Sequence, residues 1–581
     1  MTLRSFFKVL IAGTLALLLV GVGGFSWITA NNPLKLLSRA SQANPIAAMF
    51  VSKQATVMVS LLVNPDRLEQ FRQIMAPPGK RRQSRAEVEQ LKQSLLLTTD
   101  LDYRRDIQPW LGDEVTLAVT TPDIDRNDAN GQQPGYLVAA ATRDPDRAKE
   151  FLQLFWQRRS IAGAELTFEQ YKGAQLISSK ATQVPGGKAE ATSETRYPAA
   201  FATAVVGDRF LLFANHPKVL RDAINNVQAS DLNLTSSSVY QRSLQQVVNN
   251  RIGFVFLNLS QPMPNGDQPV NPVKSAYEGL AVGLSLSREG LLADSALLTA
   301  ANQPIAAATT LANTPLAQPL QALQYLPTGT PLALTGVDLS HWSNSSADPS
   351  TAFLLQWIKP SIAALQTQWG IDLSQDVFSW VNGEYALGTI VTSNPSNLGT
   401  LDQSPPLKTD WVFVVERSPE AVEGIAHLDA IGTQQGLSIG TLPIGNQQVS
   451  AWTRLQAPAA SATLNAQVQA VHTTVGNYEV FATSVAAMET ALQATQTPLG
   501  SSAAFQAAMA PLPKSGQGYL YLNWQTSQPL LEQQFPFLKL VELAGQPLFT
   551  HLRSLTLTRY DTTPTVQRDK LFVRLGSFPQ G

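Results

Sequence analysis

The stretch DYRRDIQPWLGDE, Asp102 to Glu114, returns as DLSQDVFSWVNGE, Asp372 to Glu384. Trp110 and Trp380 anchor the two phrases 270 positions apart (380 − 110). The correspondence spreads outward from them in unbroken order. VTLAVT (115–120) answers to YALGTI (385–390), and YLVAAATRDPDRAKEFL (136–152) to WVFVVERSPEAVEGIAHL (411–428). FATAVVGDRFLLFANHPKVLRDAI (201–224) answers to VHTTVGNYEVFATSVAAMETAL (471–492), and GFVFLNL (253–259) to GYLYLNW (518–524). FVSKQATVMVSL, from Phe50, pairs with YLPTGTPLALTG, from Tyr325. Matches that keep their order imply a duplicated unit, and every motif must then be weighed in both copies. The expected layout is repeat 1 over 45–300, a linker over 301–317 rich in Ala, Thr and Pro, and repeat 2 over 318–581.

Within the phrase, Asp106 and Asp376 are expected to cap a short helical turn. Pro109 falls where a missing N–H is harmless. Ile107, Trp110 and Leu111 share a face, as do Val377, Trp380 and Val381. Gly112 and Asn382 are expected to stop the turn in the left-handed conformation, and Glu114 and Glu384 then open a strand. The rival reading makes Asp102, Asp106, Asp113 and Glu114 an acid–base pair or a metal cluster. Such a pair needs a defined separation across a cleft, and Asp113 gives way to Gly383 in the second copy. The phrase is therefore read as structural: a corner pinned by a tryptophan.

Each copy alternates short apolar strands with helices. Ser84-Arg85-Ala86-Glu87 is a capping box before Val88, Leu91 and Leu95. Asp144-Pro145 and Ser418-Pro419 place a cap and a first-turn proline. VVGDRF and SLSREGLLADS read as hairpins. The expected fold class is α+β, built twice, each copy a mainly antiparallel sheet with helices packed on one face.

The chain has 581 residues, no cysteine, a formal net charge of −1 and 44% hydrophobic residues. Disulfides, thiol catalysis and sulfur-bound metals are excluded. Near-neutral charge argues against nucleic acid, which demands a basic face. Arg4 and Lys8 precede the uncharged run Val9 to Ile28. As a helix this run reaches about 30 Å, a bilayer's hydrocarbon thickness. Residues 1–30 are therefore expected to be a cytoplasmic N-terminus and transmembrane anchor, and 31–44 a juxtamembrane linker. The bulk would lie in the periplasm or thylakoid lumen. A cleavable signal peptide ending near Ala30 is the alternative.

DIDRNDANG, Asp123 to Gly131, gives Asp123, Asp125 and Asn127 the alternating spacing of a calcium loop. Asp128 stands where a glycine is wanted and Pro134 where a bidentate glutamate belongs, so a solvated hairpin loop is preferred. The histidines His216, His341, His427, His472 and His551 are dispersed, and none has a histidine counterpart in the other copy. No phosphate loop or dinucleotide fingerprint occurs. The basic knot Lys80-Arg81-Arg82 with Arg85 reads as a solvated loop, with acidic headgroups as the alternative contact. No catalytic residue, cofactor or metal is assigned.

The anchor, the two-copy layout and the phrase together resemble the membrane-anchored proteins of domain-of-unknown-function family 3352, seen mainly in cyanobacteria. The resemblance is carried by FVSKQATVMVSLLVNPDRL (50–68), DIQPWLGDEV (106–115), YLVAAATRDPDRA (136–148) and FATAVVGDRFLLFA (201–214), and runs from about Ile46 onward. It implies an envelope or thylakoid location and brings no ligand or catalytic residue. The leading expectation is a non-enzymatic, membrane-tethered protein that binds or assembles other envelope or thylakoid proteins. A second is a carrier or sensor holding an apolar ligand between the two repeats, and a third is a hydrolase. A large apolar cavity favours the carrier, converging His and carboxylate groups favour the enzyme, and a flat apolar patch favours partner binding.

Overall fold

Strands bounded by turn residues and joined by hairpins build one antiparallel sheet, and its strand order follows a pattern used twice. The computed structural model describes residues 44–66, 101–127, 132–179, 201–261, 277–287, 289–300, 320–339, 366, 370–392, 408–456, 465–514, 516, 518–534, 538–539, 542 and 546–576. In the first half the strands are β1 (Val57–Leu61), β2 (Leu111–Thr121), β3 (Gly135–Thr142), β4 (Leu166–Tyr171), β5 (Ala174–Ser179), β6 (Phe201–Val206), β7 (Phe210–Ala214), β8 (Gly253–Asn258), β9 (Tyr277–Ser287) and β10 (Gly290–Thr299). In the second they are β11 (Leu332–Val337), β12 (Glu384–Thr392), β13 (Lys408–Glu416), β14 (Leu437–Ile444), β15 (Gln447–Gln456), β16 (Asn465–Val475), β17 (Tyr478–Ala482), β18 (Gly518–Asn523), β19 (Leu552–Thr562) and β20 (Val566–Leu575).

The first half runs β4-β5-β6-β7-β3-β2-β1-β8-β9-β10 across the sheet. The second runs β14-β15-β16-β17-β13-β12-β11-β18-β19-β20, the same order with every strand shifted by ten. Each half's last strand forms the seam: β10 pairs with β20 from Gly290↔Arg574 to Leu298↔Val566. At its centre Lys570 lies 3.7 Å from the buried carboxylate of Asp294, to which the Tyr560 hydroxyl donates at 3.0 Å.

The helices are α1 (Pro145–Ile161), α2 (Pro217–Gln228), α3 (Ser238–Gln246), α4 (Pro419–Gln434), α5 (Val485–Gln493), α6 (Ala503–Met509), α7 (Trp524–Gln534) and α8 (Gln546–His551). Asp144 and Ser418 cap α1 and α4 as the sequence predicts, accepting from the backbone N–H of Arg147 and Ala421. The expectation that all helices share one face is corrected. Ala139 joins a core with residues of α2 and α3, whereas its neighbour Ala140 joins another with residues of α1. Alternation along a strand sends successive side chains to opposite faces, and the strands are apolar on both, so both must be covered. The second half repeats the arrangement, with α5 and α6 on one face and α4 on the other. Trp524 and Leu531 of α7 cover a cluster that crosses the seam, from Val59 to Val573.

No helix among the described residues is long and apolar enough to cross a membrane. The run Val9 to Ile28, the helix expected after Ser84 and the linker at 301–317 lie outside the described residues.

Candidate functional site

The repeated phrase folds the same way in both halves. Asp102 accepts from the Arg105 backbone N–H at 2.8 Å, and Asp106 reaches back to accept from the Asp102 N–H at 2.9 Å. Asp372 accepts from Ser374 N–H at 2.9 Å, and Asp376 from Asp372 N–H at 2.8 Å. The caps are therefore Asp102 and Asp372, with Asp106 and Asp376 as their reciprocal partners, a capping-box logic. The indole N–H groups of Trp110 and Trp380 donate to the carbonyls of Asp106 and Asp376 at 2.8 and 2.7 Å. Burial pushes the Asp106 carboxyl upward, but the bonds from Arg105 and the Asp102 N–H, with the charges of Arg105 and Arg158, hold it below its usual range. The left-handed stop expected at Gly112 and Asn382 is absent, since neither has positive φ. Strand β2 has already begun at Leu111, and Gly112 serves a close approach instead. A Cβ there would lie 2.9 Å from the Ala141 carbonyl oxygen.

Glu114 and Glu384 end the phrase and tie it to the start of each half. Glu114 is fully buried and accepts from the backbone N–H groups of Ile46 and Ala47 at 3.0 and 2.8 Å and from the Thr116 hydroxyl at 3.1 Å. Glu384 accepts from Ala322 N–H at 3.1 Å and from the Tyr478 hydroxyl at 2.9 Å. Each carboxylate thus holds the 3-10 turn that precedes its half's first strand, Ile46–Phe50 or Gln321–Tyr325. Such bonds commit these acids to structure.

The calcium candidates are likewise occupied. Asp123 accepts from the backbone N–H groups of Asn127 and Gln133 at 2.9 and 3.1 Å, and Asp125 accepts from Asn127 N–H at 3.0 Å. Among the described residues no group of three or more acidic or histidine side chains is disposed to hold a metal.

What the phrase does build, in the second half, is one wall of an apolar cavity of about 120 Å³. Leu373, Val377 and Trp380 of the corner face Leu428, Ile431 and Gly432 of α4, and the sheet contributes Phe413, Phe481 and Trp452. Its size is close to that of dry engineered cavities, about 150 Å³, that hold benzene. One side opens to solvent, where exposed Arg454 and Gln435 join the half-buried Gln469. Gln469 and Ala470 are consecutive yet both line the cavity. A bulge in β16 permits this: Trp452 pairs with Ala470 and Thr453 with Val468, leaving Gln469 unopposed and re-aimed.

The cavity arises from exchanges between the two halves. Helices α1 and α4 end on matching left-handed glycines, Gly163 (φ 89°) and Gly436 (φ 78°). Counted back from these, Phe155, Trp156 and Arg159 correspond to Leu428, Asp429 and Gly432. On the sheet, Ser179 faces Phe201 in the first half where Trp452 faces Ala470 in the second. Four bulky side chains thus become smaller ones, against one gained indole. In the first half they fill the space themselves: Phe155, Trp156 and Phe201 lie 5.3–6.1 Å apart, and the buried Arg159 guanidinium sits 5.2–5.8 Å from the three rings.

Close glycines let α4 sit low over the cavity. A Cβ at Gly424 would meet Trp380 ring atoms at 2.5 Å. Gly424→Ala is therefore expected to displace the indole and destabilise the fold by about 1–3 kcal/mol despite alanine's better helix propensity. Denaturant midpoint and tryptophan emission would report it, and an unchanged midpoint would contradict the packing.

Behind the cavity stands a polar cluster. His472 stacks against both Trp452 and Phe481, with centroids at 4.9 and 5.6 Å. Trp452 Nε1 donates to Asp429 at 2.7 Å, while His472 Nε2 lies 3.6 Å from the same oxygen and makes no hydrogen bond among the described residues. Burial pushes the His472 pKa below its usual value, against the pull of Asp429 and Glu479, and burial also lowers that of His216. Histidines depressed in the folded state bind protons more weakly than in the unfolded chain. The stability that these two histidines contribute is therefore fully present above about pH 6.5 and is lost as pH drops below it. His472→Phe should flatten part of this loss between about pH 6.5 and 5; an unchanged slope in urea titrations would contradict it.

None of Asp429, Trp452, Arg454 or Gln469 stood out in the sequence, and His472 stood only as one of five dispersed histidines. The usable signal was the mismatch between the copies, at Phe201 against Ala470 above all.

Two crystal forms of TP0453 are structurally similar, with 10% and 9% identity and TM-scores of 0.23 and 0.24. Each alignment covers 45% of this chain and 82% of that one. No curated protein matches the chain. A family model described as "Protein of unknown function (DUF3352)" matches residues 10–575, and the chain therefore belongs to that family.

Proposed function

We propose that this is a non-enzymatic, single-pass membrane-tethered protein of the envelope or thylakoid that holds an apolar chain in the cavity beneath α4, as a carrier or sensor. The observation that carries the reading is the cavity itself, walled by Trp380, Trp452 and Phe481 and left open where the first half is filled. Its place differs from the expectation of a ligand held between the repeats: it lies within the second. The run Val9 to Ile28 supplies the tether, with Arg4 and Lys8 on the cytoplasmic side.

Each buried methylene contributes about 0.8 kcal/mol, so about six give roughly 5 kcal/mol and a dissociation constant on the order of 0.2 mM. Calorimetric titration of the protein with 1-decanol tests this. The expected result is saturable binding of one molecule with a negative heat-capacity change. Absence of saturable binding would overturn the reading.

A second reading, docking of another envelope or thylakoid protein, is favoured by Phe168 and Ile439. These residues are 63% and 43% exposed on the outermost strands, β4 and β14. Crosslinking in the native membrane tests it, and recovery of no partner would set it aside.

A further inference from the structure

The mouth of the cavity carries its own chemistry. Arg454 follows Trp452 on the same face of β15, so its stem borders the apolar space while its guanidinium is exposed at the opening. It makes no ion pair or hydrogen bond with any described residue, unlike the buried Arg159 of the first half, which is spent on three rings. Gln469, turned toward the same opening by the bulge, also leaves its amide without a hydrogen bond among the described residues. Gln435 is already committed, donating to the Gly370 carbonyl at 3.2 Å. The nearest acid of the polar cluster, Asp429, does not line the cavity and accepts the Trp452 indole N–H. Among the described residues, the cation is therefore uncompensated and the amide free where a bound chain would emerge.

We infer that the ligand is an anionic single-chain amphiphile, its alkyl tail between Trp380 and Trp452 and its carboxylate or phosphate held by Arg454 and Gln469. This rests on the proposed cavity reading and adds the headgroup. A guanidinium offers paired donors matched to either oxyanion, and the exposed position makes the contact modest and salt-sensitive.

The test compares decanoate, decyl phosphate, 1-decanol and decyltrimethylammonium, four headgroups on one chain length, binding to the full protein, to Arg454→Ala and to Arg454→Glu. Both anions should bind the unaltered protein more tightly than the ammonium compound. Arg454→Ala should weaken the anions about five-fold and Arg454→Glu about ten-fold, with 1-decanol unchanged within about two-fold. Raising the salt concentration should weaken the anions alone. Decanoate and decyl phosphate bound as well by Arg454→Glu as by the unaltered protein would overturn the headgroup assignment. Failure of 1-decanol to bind at all would instead overturn the cavity reading. A loss confined to one of the two anions would identify the source, carboxylate or phosphate.

Discussion

Glu114→Ala is expected to lower the free energy of unfolding by about 3 kcal/mol. The side chain is wholly buried and is the acceptor for the backbone N–H groups of Ile46 and Ala47. Truncation strands both donors in an apolar core lined by Phe50, Met58 and Ala118, and each unsatisfied buried donor costs roughly 1–3 kcal/mol. Glu114→Gln keeps an acceptor and should cost less. Glu384→Ala should act in the same direction but more weakly, because Glu384 takes one backbone N–H and the Tyr478 hydroxyl, and the hydroxyl can rotate to a new partner. Urea unfolding of the protein reads these differences directly. A Glu114→Ala protein as stable as its parent would contradict the tether between the phrase and the first turn.

Ala470→Phe carries the other large effect. The substitution gives the second half the ring that the first half places at this register, Phe201 against Ser179. The ring projects into the space between Trp452 and α4, which is empty in the second half and filled in the first. Decanol binding should weaken by more than about ten-fold with the fold retained, since the ring takes up a void rather than displacing packed atoms. Preserved affinity would mean that the chain binds elsewhere.

The duplication and the antiparallel α+β class were legible because strand alternation, hairpin glycines and helix caps are local signals. Gly207 and Gly476 stand in tight turns with positive φ, and Asp144 and Ser418 cap their helices. The layering was not legible. Ala139 and Ala140 look alike in sequence, and that they serve cores on opposite faces follows from the packing of whole helices, the distant α2 and α3 over Ala139 and the adjacent α1 over Ala140. The stop at Gly112 was misread because a glycine after a helical turn usually marks a left-handed end. Here it answers to the Ala141 carbonyl across the sheet. The site escaped for a related reason. Searching each copy for reactive residues misses a cavity made by deletions of bulk, at Leu428, Gly432 and Ala470, which appear only when the copies are laid over each other.

The most direct test of the cavity as the ligand site is anomalous diffraction from crystals of the protein soaked with 1-bromodecane. The account predicts a bromine peak or chain density enclosed by Trp380, Trp452 and Phe481 in the parent protein, and none there in Ala470→Phe. A parent protein whose cavity stays empty while bromine appears only on the outer surface would contradict it.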